Sequence, residues 1–337
     1  VITYKISYLI ETCDYKPSRI YAVTFTNKAA REMAERISNK LGSKSKGIHV
    51  STFHTFGLNF IRSEYKLLGL KNNFSIYDSE DSLNLLRDIS GKDNIEIAEQ
   101  LQTQQSQISN WKGASVLPAE ALHIATDATE FAVAKLYASY QQTLRSYNAV
   151  DFDDLILLPL QLLRDNEQIR EKWQNKIQYL LVDEYQDTNT TQYELVKILT
   201  GARGAFTVVG DDHQAIYAWR GANHENLQKL QYDFPNLKII TLEQNYRSTG
   251  TILQAANHLI SHNQNIFAKN LWSTLGAGDP IRIIINPNAQ EEASRIAAEI
   301  TQHKFLNQTK FSDYAVMYRS NHQSRLIEQA LREFQIP

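Results

Sequence analysis

The chain has 337 residues, 42% of them apolar, and a formal net charge of −2. That length exceeds one ordinary core and predicts two or three domains. The near-neutral charge gives no global attraction to nucleic acid, so any such partner needs a local patch. The single cysteine, Cys13, excludes an intrachain disulfide framework and fits a reducing cytoplasm. No apolar run is long enough to span a membrane, and no signal peptide is present.

The stretch Val1-Ile2-Thr3-Tyr4-Lys5-Ile6 reads as the middle of a helix with no initiating Met. The far end stops at Ile336-Pro337 after a helical pattern, so both ends predict a piece of a longer chain. A strand is expected at 20–25, followed by a helix at 28–41. Between them lies Thr24-Phe25-Thr26-Asn27-Lys28. Free N–H groups at such a helix start bind phosphate, and Phe25 offers a stacking face. Plain N-capping by Thr26 or Asn27 accounts for the same residues. From Lys16 to Lys46, eight Lys or Arg stand against two Glu, a local excess of six positive charges. A second strand, at 48–52, runs into Ser51-Thr52-Phe53-His54. Its hydroxyls and imidazole could contact a phosphodiester backbone. A core histidine among aromatics is the plainer alternative.

From about 64 to 148 no strand pattern appears. Leu83, Leu85, Leu86 and Ile89 suggest one helix, and Ala132, Leu136, Tyr140 and Leu144 another. This region reads as an all-helical insertion into an otherwise alternating α/β chain. Asp151-Phe152-Asp153-Asp154 looks like a metal cluster, but before the apolar 155–158 run it reads better as a helix cap. The nine histidines show no zinc spacing.

The most informative stretch is Tyr179-Leu180-Leu181-Val182-Asp183-Glu184-Tyr185-Gln186-Asp187. An apolar run reads as a buried parallel strand. It ends on two adjacent carboxylates, where open α/β sheets bind their ligands. One carboxylate can hold Mg²⁺, and the other can orient or deprotonate water. A helix is expected at 192–199 and a strand at 206–210. That strand ends in Gly210-Asp211-Asp212-His213-Gln214, followed by Tyr217, Trp219 and Arg220. A glutamine there can contact phosphate without adding charge. The aromatics and Arg220 could stack bases, or Tyr217 and Trp219 could be core residues. Further strands are expected at 237–242, 281–285 and 314–318, with a helix at 291–303. At the junction near Asn245, Arg247 could reach a γ-phosphate as an arginine finger, and Tyr246 could lie against a base. An ordinary surface Arg and a half-buried Tyr are the alternative.

Together these motifs, in this order, resemble the superfamily 1 DNA helicases of the UvrD/Rep/PcrA group over nearly the whole chain. The run from Trp173 to Lys197 lies nearest the Rep branch. The resemblance implies two RecA-like domains: 1–60 with 158–245 as the first, and 246–337 as the start of the second. Residues 61–157 would be a helical accessory subdomain. It further implies an ATP-driven 3′→5′ translocase on single-stranded and 3′-tailed duplex DNA. Such a protein is bacterial and nucleoid-associated, with replication or repair proteins or a second copy as partners. Asp183 would bind Mg²⁺, Glu184 activate water, Gln214 sense the γ-phosphate, Arg247 contact it, and Tyr246 stack on adenine. Phe25, Tyr217, Trp219 and Arg220 would line the single-strand track. Thr24, Asn27, Thr52 and His54 would touch DNA backbone or couple it to ATP. The segment from Arg319 to Arg325 matches a further part of the second motor domain.

The departures are as specific. The phosphate loop Gly-x-x-x-x-Gly-Lys-Ser/Thr is absent, and in the family it directly precedes the helix that begins here at Val1. The family's later motifs are absent as well. His213 and Ala215 stand where the family usually has Asp and Ser. The chain is therefore expected to lack ATPase activity by itself. A second reading is an ATP-independent single-strand-binding module. A third, a pure ATPase, has no need of the aromatic Tyr217–Trp219 segment.

Overall fold

The computed structural model describes residues 1–91, 98–223, 225–263 and 267–337, apart from the side chains of Ala98 and Arg220. In chain order, α1 (Ile2–Glu11), β1 (Ile20–Thr24), α2 (Asn27–Leu41), β2 (His49–Thr52) and α3 (Phe53–Glu64) come first. Next are β3 (Ser75–Tyr77), α4 (Ser79–Ser90), α5 (Ala98–Gly113), α6 (Pro118–Ile124), α7 (Ala128–Ser146) and β4 (Ala149–Asp151). Then come α8 (Asp154–Asp165), α9 (Glu167–Lys176), β5 (Tyr179–Val182), α10 (Thr190–Thr200), β6 (Phe206–Val208) and α11 (Asn226–Asp233). The chain divides into two units, one of Val1–Leu242 with Ile260–Lys269, the other of Glu243–Leu259 with Asn270–Pro337.

The first unit is built on a parallel sheet in the order β2-β1-β5-β6. The alternation of its strands explains their apolar runs. Ile20, Ala22 and Leu181 join the α1 and α2 side chains Ile2, Ile6, Leu9, Met33 and Ile37 in one cluster. Tyr21, Val23, Leu180 and Val182 join Phe53, Phe60, Leu163, Trp173 and Leu195 in another, from α3, α8, α9 and α10. Both faces are covered at the inner strands β1 and β5, so their positions are mostly apolar, as in parallel α/β sheets generally. Gly57 lets α3 approach α8, because a Cβ there would stand 1.8 Å from the Leu155 carbonyl oxygen. This α/β fold on a parallel sheet is the one the sequence predicts, and its four strands fall within the predicted spans.

The helical region has its own core of Leu86, Ile108, Trp111, Tyr137, Tyr140 and Leu144. Two details differ from the sequence reading. A strand does lie within 64–148: β3 pairs in parallel with β4 over three residues, too few to show a period. On α7 the expected Tyr140 and Leu144 are buried together with Val133, Ala134 and Tyr137, and Leu136 packs against the same core, while Ala132 is exposed.

Corrections are larger toward the end of the chain. The expected strands at 237–242, 281–285 and 314–318 form no ladder among the described residues. Ile240, Ile283, Ile285 and Met317 are exposed. A β-rich pattern favours extended backbone but cannot supply the neighbour that a strand must pair with. The second unit contains α12 (Gly250–Ile260), α13 (Ala289–Asn307) and α14 (Asn321–Glu333), of which α13 and α14 pack together. Ala293, Ala297, Ala330 and Ile336 form its small core, with Leu326 and Leu331 packed against it.

Candidate active site

The carboxyl ends of β1, β2, β5 and β6 carry the chemistry-bearing residues. The β5 tip is clamped from both sides. Asp183 N donates to Val23 O at 2.9 Å and Val209 N donates to Val182 O at 2.8 Å. Leu180, Leu181 and Val182 are fully enclosed, so position 183 is the first on this strand where a carboxylate can reach solvent. Burial pushes the Asp183 carboxyl above the usual carboxylate range, and the adjacent Glu184 charge adds to that. A carboxylate in such a field gains from a bound cation. Among the described residues no group of three or more His, Cys, Asp or Glu could hold a metal. The oxygen donors here fit Mg²⁺, which uses one or two carboxylates with water and phosphate, and they do not fit zinc.

Glu184 sits in the left-handed region, at φ 52 and ψ 43. For a residue with a Cβ that conformation costs about 1–2 kcal/mol, and such strain tends to persist where a site requires it. Its carboxylate accepts a hydrogen bond from Gln186 Nε2 at 2.9 Å. The Gln186 oxygen in turn accepts from Asp211 N at 3.0 Å. Gly210 makes that approach possible, since a Cβ there would come within 3.0 Å of the same oxygen. The Asp211 carboxylate accepts from His213 N and from Gln214 Nε2, at 3.1 and 2.7 Å. It also pairs with Lys269, as does Asp212. Burial pushes Asp211 up, but Lys269 and Gln214 outweigh it and hold the carboxyl below its usual range. Asp187 behaves oppositely. Burial, with the nearby Glu184 charge, pushes its carboxyl up to about 6, and its buried Oδ1 has no hydrogen-bond partner.

The residues assigned to nucleic acid lie on the same edge. Thr24 and Thr52 are register partners at the ends of β1 and β2. Thr24 Oγ1 is buried with no hydrogen-bond partner. Asn27, Arg31, Ser51, Thr52 and Thr55 line an open groove of about 500 Å³. Thr26 caps α2 by accepting from Ala29 N at 3.1 Å, so the capping reading holds at this helix start. Phe25 is half-buried and packs edge-on against Phe53. His54 stands edge-on to Phe152, and burial pushes its imidazole down, toward the neutral form. Trp219 is 71% exposed and Tyr217 39%, with ring centroids 6.5 Å apart, so neither is a core residue. The Arg220 side chain lies outside the described residues.

Tyr246 and Arg247 belong to the second unit. Asn245 Oδ1 accepts from the backbone N–H of both Arg247 and Ser248, fixing a tight turn. The Tyr246 ring is 77% exposed and its hydroxyl donates to Gln244. Gln186, Asp211 and Lys269 were not singled out as site residues by sequence reasoning. The first two lie inside quoted motifs; Lys269 carries no local signal.

The Asp151–Asp154 cluster does cap a helix. Asp154 N donates to Asp151 Oδ1 at 2.9 Å. It also has a partner that the sequence did not suggest: Lys112 Nζ lies 2.7 Å from Asp151 and 2.8 Å from Asp154, with all three side chains enclosed. Burial alone would push the Lys112 amine down; the two carboxylates outweigh it and hold it well above its usual value.

A parallel α/β sheet of this order, with paired carboxylates at an inner strand tip and a glutamine loop after the next strand, defines a RecA-type fold. Residues 1–235 match the UvrD/REP helicase N-terminal domain, and residues 240–337 the UvrD-like helicase C-terminal domain. The chain belongs to the UvrD-like helicase family. It is 52% identical to "ATP-dependent DNA helicase Rep" of Escherichia coli (strain K12), over all of this chain and 50% of that protein. The Salmonella typhimurium protein of the same name is 51% identical over the same shares. "ATP-dependent DNA helicase PcrA" of Staphylococcus aureus is 39% identical, over all of this chain and 46% of that protein. The chain thus spans about half the length of the curated relatives it matches.

Proposed function

We propose that these residues are the ATP-handling and strand-gripping part of an ATP-dependent DNA helicase that moves 3′→5′ along single-stranded DNA. The observation that carries this reading is the linked set Glu184–Gln186–Asp211–Gln214 at the sheet edge, beside a groove lined by Asn27 and Thr52. In this reading 1–60 and 158–245 form the first motor domain, 61–157 the accessory subdomain, and 246–337 the start of the second motor domain. Asp183 would hold Mg²⁺, and the ion would supply positive charge against the phosphates of ATP. Glu184 orients that water and takes its proton. Gln214 reads the γ-phosphate position, and its bond to Asp211 holds it ready without adding charge. Arg247 and Tyr246 supply the second domain's contacts to phosphate and adenine. Substrates are single-stranded and 3′-tailed duplex DNA, and the setting is the bacterial nucleoid.

The 337 residues contain no Gly-x-x-x-x-Gly-Lys-Ser/Thr loop, whose backbone N–H groups and lysine would cradle the β- and γ-phosphates. By themselves they are expected to show negligible ATPase activity with or without DNA. A DNA-stimulated rate above background in a phosphate-release assay would overturn this.

The exposed Tyr217 and Trp219 favour a second reading of the isolated chain, as a single-strand-binding module without turnover. Trp219→Ala is expected to weaken binding of an oligothymidylate by about 1–3 kcal/mol, the worth of one base stack. Fluorescence anisotropy at fixed salt measures it, and unchanged affinity would remove Trp219 from the strand track.

A further inference from the structure

Lys269 lies far in sequence from every motif above, yet its ammonium pairs with both carboxylates of the loop that carries Gln214. Its side chain is 14% exposed and that of Asp212 is 5%. The segment Ile260–Lys269 belongs to the first unit, although the chain on either side of it belongs to the second. From Lys269 a continuous set of polar contacts runs through Asp211. One branch leads to Gln214 Nε2, and the other passes through Asp211 N and the Gln186 amide to the Glu184 carboxylate.

We propose that Lys269 is a positioning residue for Gln214. It ties the chain at Lys269 to the 211–214 loop, fixes the Asp211 carboxylate, and through it presents the glutamine amide to the nucleotide. The inference rests on the reading of Gln214 as a γ-phosphate contact. It adds a link to that site: a displacement of Lys269 would move the sensor without touching the carboxylates of β5. The charges favour this arrangement: Asp211 and Asp212 are adjacent carboxylates, and the Lys269 ammonium that bonds both offsets their like-charge crowding.

A double-mutant cycle in the full-length protein tests it, with kcat and KM for DNA-stimulated ATP hydrolysis as readouts. Lys269→Met is expected to lower kcat about tenfold to a hundredfold, as small misplacements of positioned groups do, with KM for ATP changed less than about twofold. Lys269→Arg keeps the charge though not the compact geometry, and is expected to retain more of kcat than Lys269→Met. In a Gln214→Ala background Lys269→Met is expected to cost almost nothing further, because the group it positions is gone. Should Lys269→Met fail to fold, Lys269→Gln takes its place in the cycle. Equal fold losses in both backgrounds would show a merely structural lysine and overturn the inference alone. An unchanged kcat in Gln214→Ala itself would overturn the sensor reading, and the inference with it.

Discussion

Glu184→Gln in the full-length protein is expected to reduce ATP turnover by about 10²–10⁴, the range that a positioned general base contributes, while nucleotide binding persists. The substitution is nearly isosteric. A glutamine oxygen can still accept from Gln186 Nε2, which now bonds Glu184 at 2.9 Å. The left-handed backbone at φ 52 is a constraint that both residues meet equally. What is lost is the capacity to take a proton from water. Stopped-flow binding of a fluorescent ATP analogue should therefore be close to wild type when steady-state hydrolysis is nearly absent. Normal turnover by this variant would remove Glu184 from the role.

The same measurement separates Glu184 from its neighbour. Asp187 is a buried carboxyl raised to about 6, with an unpartnered oxygen, so it too could hold a proton near neutrality. Its lift has Glu184 as its second cause, after burial, so the charge of one depends on that of the other. If Asp187 were the base, Glu184→Gln would lower its pKa and leave substantial activity. Nearly complete loss in Glu184→Gln assigns the role to the residue at the strand tip.

The site was legible in the sequence to the extent that it is local. Asp183 and Glu184 could be placed because Tyr179–Val182 is buried on both faces, which forces an apolar run with a sharp polar end. The same logic located β1, which is buried along its whole length. On α7 it held at Tyr140 and Leu144 but not at Ala132, which is apolar yet exposed, because small residues carry little directional information. It failed at 281–285 because propensity favours extended backbone but says nothing of a neighbour. Gln186 and Asp211 lay in view but looked like loop polarity until their mutual contact was seen. Lys269 and Lys112 were invisible for one reason: each is a lone lysine whose partners lie far away, 58 residues for Lys269 to Asp211 and 39 for Lys112 to Asp151. Long-range ion pairs have no period and no spacing.

Lys112 carries the second large prediction. Its ammonium is 0% exposed and bridges Asp151 and Asp154 at the start of α8. Each carboxylate has a further neutral donor. Tyr140 Oη donates to Asp151 at 2.9 Å, and Gln141 Nε2 donates to Asp154 at 3.0 Å. The Lys112 carbonyl also accepts from Thr191 Oγ1 at 2.6 Å. Helices α5 and α7 of the helical region thus meet α8 and α10 of the sheet layer at one polar point within apolar packing. Lys112→Met fills similar volume but leaves two buried carboxylates without a counter-charge. Breaking a buried pair this way costs about 3–5 kcal/mol, because the remaining charge must stay desolvated or take up a proton. Chemical denaturation should show this loss, and hydrogen exchange should rise first in α5 and α7. Lys112→Met combined with Asp151→Asn and Asp154→Asn removes the stranded charges while keeping oxygens for Tyr140, Gln141 and the Asp154 N–H. That triple variant should recover at least half of the loss. If it is no more stable than Lys112→Met, the cost lies in packing around the lysine stem, and the charges are not what holds the helical region in register with the sheet layer.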